Sequence, residues 1–347
     1  MMRDVITRTQ GKAGIISLNR PSALHALTLD MVHAMTAALL EWRGDTGVQI
    51  IIIDHGEGRG FCAGGDIAFL RASALEGGEA GRTFFHDEYQ LNHLLFTYPK
   101  PVVAFMDGIT MGGGVGISQP ADYRIATENT RFAMPETGIG LFPDVGGGWY
   151  LSRLAGRVGQ YLALTGARID GADCIAVGLA TRYLPSASLP DVKHALAAAP
   201  DQIEAILRGA ATGAPLSKLI QLRGDIDRLF ASDVYEDIMA ALQADGSDWA
   251  TKERATLQTK SPQTCKVALR QLAMSLTYDD FADNMRMEYR IASRVLTRPD
   301  FTEGVRAVIV DKDNAPQWNP ATLEGVTEDM LDTIFARLPS ADEWKPL

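Results

Sequence analysis

The chain has 347 residues, enough for two modest domains or one large domain with an appended element. Its 46% hydrophobic and 22% charged residues are ordinary for a globular protein, which sets aside disorder, collagen and coiled coil. With 33 Lys and Arg against 43 Asp and Glu, the net charge of −10 argues against non-specific nucleic-acid binding, which needs basic side chains to neutralise phosphates.

The N-terminal MMRDVITRTQGKAG has neither the apolar core of a secretory signal nor the Arg/Ser-rich pattern of a transit peptide. No run approaches the ~20 apolar residues of a membrane span. A cytoplasmic protein without membrane partners is expected. AGIISL at 13–18, VQIIIID at 48–54 and PVVAFM at 101–106 are β-branched runs and are predicted strands. Between the first two, residues 28–43 space Val32, Met35, Leu39 and Trp42 at helical intervals, with Thr28 as cap and Gly44 after the end. Shorter strands are predicted at 123–126 and 131–134. Past about Leu154 the pattern turns helical: 158–165, 170–178, 191–198, 202–207, 234–244 and one long stretch over 263–298. The Pro- and Ser-rich segment 184–190 reads as a linker, which places an α/β core in residues 1–185 and a mainly helical capping or oligomerisation region in 186–347. The acidic residues after 300 read as a solvated surface.

Three widely spaced cysteines, Cys62, Cys174 and Cys265, suggest neither a disulfide framework nor a zinc site. No HxxxH or HExxH pattern occurs, so no metal is expected. Two glycine clusters follow predicted strands: FCAGGD at 61–66 and DGITMGGGVG at 107–116. Neither has the Lys-Ser/Thr ending of a phosphate loop or the GxGxxG spacing. Glycine lets a backbone N–H approach a ligand unobstructed, and two such loops suit stabilisation of an oxyanion from two sides. FAMPETGIGLFPDVGGG at 132–148 then places two carboxylates, Glu136 and Asp144, in an apolar Gly/Pro-rich run, where desolvation would make them available for acid–base work.

These segments resemble the crotonase (enoyl-CoA hydratase/isomerase) superfamily, most closely its 3-hydroxyisobutyryl-CoA hydrolase branch. The resemblance is carried by NRPSALHAL (19–27), GFCAGGDI (60–67), FFHDEYQLNH (84–93), GITMGGGVGIS (108–118) and FAMPETGIGLFPDVGGGWYLSRL (132–154). It continues through SPQTCKVALRQL (261–272), MEYRIASR (287–294) and DFTEGVRAVIVDKDNAPQW (300–318). The FPD triplet and the EGVRAVIVDKD run point to the hydrolase branch. The resemblance implies an α/β fold, a crotonase-like spiral of ββα units with a C-terminal helical region, and trimer-based homo-oligomers. It implies that the N–H groups of Gly65 and Gly113 form an oxyanion hole for an acyl-CoA thioester. Ser22, Ala23, Leu24 and Ala26 would contact CoA, mostly through backbone, with His25 where hydratases commonly carry Asn. CoA would be part of the substrate, with no separate cofactor.

Hydratases place one of two catalytic glutamates three residues after the second oxyanion glycine, where this chain has Gly116. The other matches Glu136, and Asp144 stands where hydratases usually have glycine but some isomerases, dehalogenases and the hydrolase have Asp. Glu88 matches a substrate-contacting glutamate of the hydrolase branch; without the resemblance it reads as a surface residue on a helix. The expected reaction is hydrolysis of a short 3-hydroxyacyl-CoA thioester, as in valine breakdown, with Glu136 as nucleophile or general base and Asp144 orienting it, holding the 3-hydroxyl or relaying a proton. The alternatives are hydration or isomerisation of an enoyl-CoA, and a non-catalytic acyl-CoA binding protein.

Overall fold

The computed structural model describes residues 4–347. β1 (Val5–Gln10) and β2 (Ala13–Leu18) form an antiparallel hairpin, and β2 is buried along its whole length. α1 (Leu29–Gly44) starts where Thr28 accepts a hydrogen bond from the Met31 N–H, and it buries Val32, Met35, Leu39 and Trp42. The Trp42 ring lies 2.5 Å from where a Cβ on Gly14 would stand, so only glycine permits that close crossing of helix and strand. β3 (Ile50–His55) pairs parallel with β2.

From here three successive pairs of strands split between two sheets. β3 is followed by β4 (Gly60–Cys62), then α2 (Ile67–Leu75) and α3 (Glu79–Phe96). β5 (Val102–Met106) is followed by β6 (Ile109–Met111) and α4 (Gly113–Ser118). β7 (Tyr123–Ala126) is followed by β8 (Arg131–Ala133) and a 3-10 turn over Glu136–Ile139. α5 (Gly147–Ser152), α6 (Val158–Thr165), β9 (Ile169–Asp170), α7 (Gly171–Val177) and β10 (Arg182–Tyr183) close this half. The larger sheet has the order β1-β2-β3-β5-β7-β10 and the smaller β4-β6-β8-β9. This is the expected spiral of ββα units.

Segment 184–190, expected to be a linker, is instead packed down. Leu184 and Leu189 are buried, and Ser186 donates from its hydroxyl to Asp107 and from its N–H to Glu128. α8 (Leu189–Ala198) and α9 (Ile203–Ala210) then cover the second face of the large sheet. The run of isoleucines in β3 reflects this: Ile51 and Ile53 enter the main core, while Ile50 and Ile52 meet Val192, Leu196 and Leu207. A parallel strand covered on both faces reads as continuous apolar sequence.

The remaining helices are α10 (Lys218–Gln221), α11 (Arg223–Leu229), α12 (Tyr235–Asp245), α13 (Asp248–Gln258), α14 (Pro262–Ser275), α15 (Phe281–Val295), α16 (Pro299–Val305) and α17 (Glu328–Phe335). The long helix expected over 263–298 is two, because Asp280 caps α15 by accepting from the Ala282 N–H. None of the helices among the described residues is long and apolar enough to cross a membrane. β1 was not predicted, since only Val5 of its six residues is buried and no alternation marks it.

One buried carboxyl fastens the C-terminal helices to the central loop. Glu288 of α15 accepts from the N–H groups of Gly146 (2.7 Å) and Gly148 (3.0 Å), from Gln271 of α14 (3.0 Å) and from Asn284 (2.9 Å). Glu288→Ala strands these donors in the core, at roughly 1–3 kcal/mol for each left unpaired. Denaturant unfolding is expected to show a loss of about 3 kcal/mol or more; an unchanged midpoint would mean the donors find other partners.

Candidate active site

β4, β6 and β8 run parallel and adjacent, so the loops leaving their C-terminal ends lie side by side, the usual position for a ligand crevice in such sheets. The first loop carries Gly65, the second Gly113 and the third Glu136. The glycine loops touch: the Gly113 Cβ position is 3.3 Å from the Gly64 carbonyl carbon. Gly113 opens α4, so its N–H has no intrahelical acceptor. A parallel bridge from Leu27 uses the Gly64 carbonyl and the Asp66 N–H, which leaves the Gly65 N–H between them outside the ladder.

Both glycines line a cavity of about 440 Å³ together with Glu88, Glu136 and Asp144, and with Phe84, Phe85 and Leu141 on its apolar side. Glu88 on α3 is only 2% exposed, so the surface-residue alternative does not hold. Its Oε1 lies 2.6 Å from the Gly113 Cβ position, so any side chain at 113 would push this carboxyl out of place. Glu136 Oε1 is 3.2 Å from the Gly112 Cβ position, and its Oε2 is buried without a protein partner. Asp144 accepts from the Tyr89 hydroxyl at 2.8 Å. It precedes Val145, whose φ of +54° is a strained conformation for a β-branched residue.

All three carboxyls are buried and none has an ion-pair partner within 4 Å among the described residues, so each is displaced toward its protonated form. Burial raises Asp144 to about 7 against the pull of the Tyr89 hydroxyl. Glu88 and Glu136 are held well above the usual carboxylate range, by burial first and by the charge of Asp144 second. Lys260 is the cation that opposes this at Glu136. A carboxyl that titrates near neutrality, as Asp144 does, can exchange protons with a reacting group, which solvated ones do poorly.

Gly116 closes the position from which a hydratase glutamate would project. A Cβ there would stand 2.7 Å from the Val145 Cβ and 2.8 Å from the Asn92 amide nitrogen. Ser22, Ala23, Leu24 and Ala26 do not line the cavity. They lie beside its Ala63–Gly65 edge, joined by the bond from the Ala63 N–H to the Leu24 carbonyl. Leu24 and His25 both have positive φ, and the His25 ring holds the loop in that shape. Its Nδ1 accepts from the Arg20 N–H (2.9 Å), so Nε2 carries the hydrogen donated to the Glu57 carbonyl (3.1 Å). Burial favours this neutral ring.

Tyr89, Lys260 and the C-terminal wall carried no assignment in the sequence. The wall is a π-helical turn over Arg306–Val310 that puts Val308 and Ile309 into the cavity, with Asn314 and Pro316 beside them. Arg306 braces it through Glu303, Asp311 and Asp313; the EGVRAVIVDKD run marked this segment by family likeness without giving it a place in the site.

The topology and this cavity are those of a crotonase-type enzyme, and the chain belongs to the enoyl-CoA hydratase/isomerase family, which it matches over residues 13–335. It is 42% identical to a protein of Danio rerio named 3-hydroxyisobutyryl-CoA hydrolase, mitochondrial, across 98% of this chain and 91% of that protein. The Homo sapiens protein of the same name is 40% identical, across 98% and 90%. Among solved structures, a carnitinyl-CoA dehydratase from Mycobacterium thermoresistibile superposes with a TM-score of 0.94 at 38% identity, covering 99% of both chains. An enoyl-CoA hydratase from Rhodobacter sphaeroides 2.4.1 superposes at 0.92 with 39% identity, covering 99% of this chain and 100% of that one.

A group whose folded pKa lies above its unfolded value stabilises fully below the unfolded value and loses that contribution as pH rises through the folded one. For Asp144 the window runs from 3.8 to about 7. Wild-type Tm is expected to fall between pH 5 and pH 8, and Asp144→Asn, which keeps the Tyr89 bond and cannot ionise, is expected to flatten part of that slope. Identical slopes in thermal scans of the two proteins would place Asp144 in an unperturbed state.

Proposed function

We propose that the protein hydrolyses a short 3-hydroxyacyl-CoA thioester, foremost 3-hydroxyisobutyryl-CoA to 3-hydroxyisobutyrate and CoA, a step of valine breakdown. The observation that carries this reading is the filled space at Gly116, which leaves no room on α4 for the second glutamate of a hydratase while Glu136, Asp144 and Glu88 line one cavity. The hydrolases named above support it from sequence.

In this reading the thioester carbonyl lies between the N–H groups of Gly65 and Gly113. These donors act on charge as it develops, and losing one such donor typically costs ~10²–10³ in rate. Glu136 delivers the attack, either by taking a proton from the water that adds to the carbonyl or directly as a carboxylate nucleophile, in which case the mixed anhydride it forms is hydrolysed by water after the thiolate has left. The C–S bond then breaks, and the CoA thiolate leaves with the electron pair and is protonated. Asp144, oriented by Tyr89 and titrating near neutrality, gives the departing thiolate its proton and regains one from the hydrolytic water or from Glu136. Glu88 pairs with the acyl substituent. A pocket that pairs a 3-hydroxyl rejects esters lacking it far more strongly than one that senses only a methyl group.

The similarity to a dehydratase and a hydratase favours one competing reading, reversible hydration, and the same assay separates them. Purified protein is expected to release free thiol from 3-hydroxyisobutyryl-CoA, to do so much more slowly from isobutyryl-CoA, and to leave the enoyl absorbance of crotonyl-CoA unchanged. Hydration without thiol release would overturn the proposal. Glu136→Gln is expected to lower kcat by about 10²–10⁴, the range of acid–base contributions, with CoA-ester affinity nearly unchanged. Retained turnover with lost binding would remove Glu136 from the chemistry.

A further inference from the structure

Asn92 stands one helical turn beyond Glu88 on α3, outside the cavity lining. It is fully buried, and neither its amide nitrogen nor its oxygen meets a hydrogen-bond partner among the described residues. Burying an unpaired amide is expensive, so such a group calls for a partner or a purpose. Glu88 Oε1 is likewise buried and without a protein partner.

The two orphaned groups face the same bare strip of α4. Glu88 Oε1 is 2.6 Å from the Cβ position of Gly113, and Asn92 Nδ2 is 2.8 Å from that of Gly116. Residues three apart on a helix carry their Cβ atoms about 5–6 Å apart. Glu88 and Asn92 also leave α3 one turn apart, so their polar ends are neighbours on both helices, yet neither bonds the other. Buried waters typically serve polar groups that are otherwise unpaired, as these two are.

We propose that a buried water bridges Asn92 and Glu88 on the glycine strip of α4, and that through it Asn92 is a positioning residue for the Glu88 carboxyl. The Asn92 Nδ2–H donates to the water and the water donates to Glu88 Oε1. Burial and the nearby Asp144 hold Glu88 toward its protonated form. With Oε1 engaged as an acceptor, the proton stays on Oε2, where it can be offered to a bound acyl group. Gly116 is what admits this arrangement, since any side chain there would displace the amide. The polar function that a hydratase builds from α4 is thus supplied from α3, by a carboxyl held in place by an amide and a water. The kinetic part of this proposal rests on the hydrolase reading; the water does not.

The test uses the whole protein. A crystal structure of the wild type that resolves ordered water is expected to show one within hydrogen-bond distance of both Asn92 Nδ2 and Glu88 Oε1. Asn92→Leu, close in size and apolar, is expected to lose that water, keep or raise Tm, and lower kcat at least tenfold while KM changes less than about twofold. Asn92→Ser, which keeps a hydroxyl donor and leaves room for water, is expected to recover kcat to within about threefold of wild type. A direct protein partner for Asn92 with no water there would overturn the proposal. So would wild-type kcat in Asn92→Leu, or a kcat loss matched by a loss of Tm and not rescued by serine. A protein that releases no thiol from any CoA ester overturns the proposed reaction, and the water is then decided by the wild-type crystal structure alone. An active enzyme indifferent to Asn92→Leu overturns the positioning role and leaves the reaction standing.

Discussion

The active site depends on one strained turn, Asp144–Val145–Gly146, and on the carboxyl that holds it. Val145 at φ +54° carries a conformational cost of order 1–3 kcal/mol. Glu288 opposes relaxation by accepting from Gly146 and Gly148, while Gln271 donates to both Glu288 and the Pro143 carbonyl. Both holding residues lie on C-terminal helices. Releasing them would let Val145 return to ordinary backbone, carrying Asp144 away from Tyr89 and Val145 away from Gly116. The helical region is therefore part of the site's construction as well as its cover.

Glycine does separate work on each side of the cavity. On α4, the missing side chains of Gly113 and Gly116 admit Glu88 and Asn92 from α3, and Gly114 lets the helix sit 2.3 Å, measured from its Cβ position, from the Cys62 carbonyl. Closest approach of α4 to β4 brings the Gly65 and Gly113 loops together. A single alanine in this run would push one of these partners away, since the interior has no slack to absorb it.

The same packing sets the electrostatics. Three carboxyls are buried in one cavity with Lys260 as the opposing cation at Glu136, and desolvation outweighs every hydrogen bond made to Asp144. The fold accepts the cost of groups that would be more stable in water, and the return is a set of carboxyls all shifted toward their protonated forms, with Asp144 raised to about 7. Stability given up at a site in this way is a familiar companion of catalysis.

Local order was readable from the sequence because its causes are local. The strands at 13–18 and 123–126 and the helix at 158–165 follow from β-branched runs and helical spacing that short windows contain. The family likeness added the spiral of units and singled out Gly65, Gly113, Glu136, Asp144 and Glu88, and the cavity brings these five together. What the sequence left open is the meeting of distant groups. Glu288 and Gly146 are 142 residues apart, and Tyr89 and Asp144 are 55 apart. The burial of Glu88, the clamp on Val145, the entry of Lys260 and the pairing of Asn92 with a bare helix face arise only when separate elements pack. Periodicity and glycine spacing determined which elements form and where the chain can come close to itself. Tertiary packing alone decided which polar groups lose water and face one another, because desolvation and hydrogen-bond geometry depend on neighbours that no local pattern specifies.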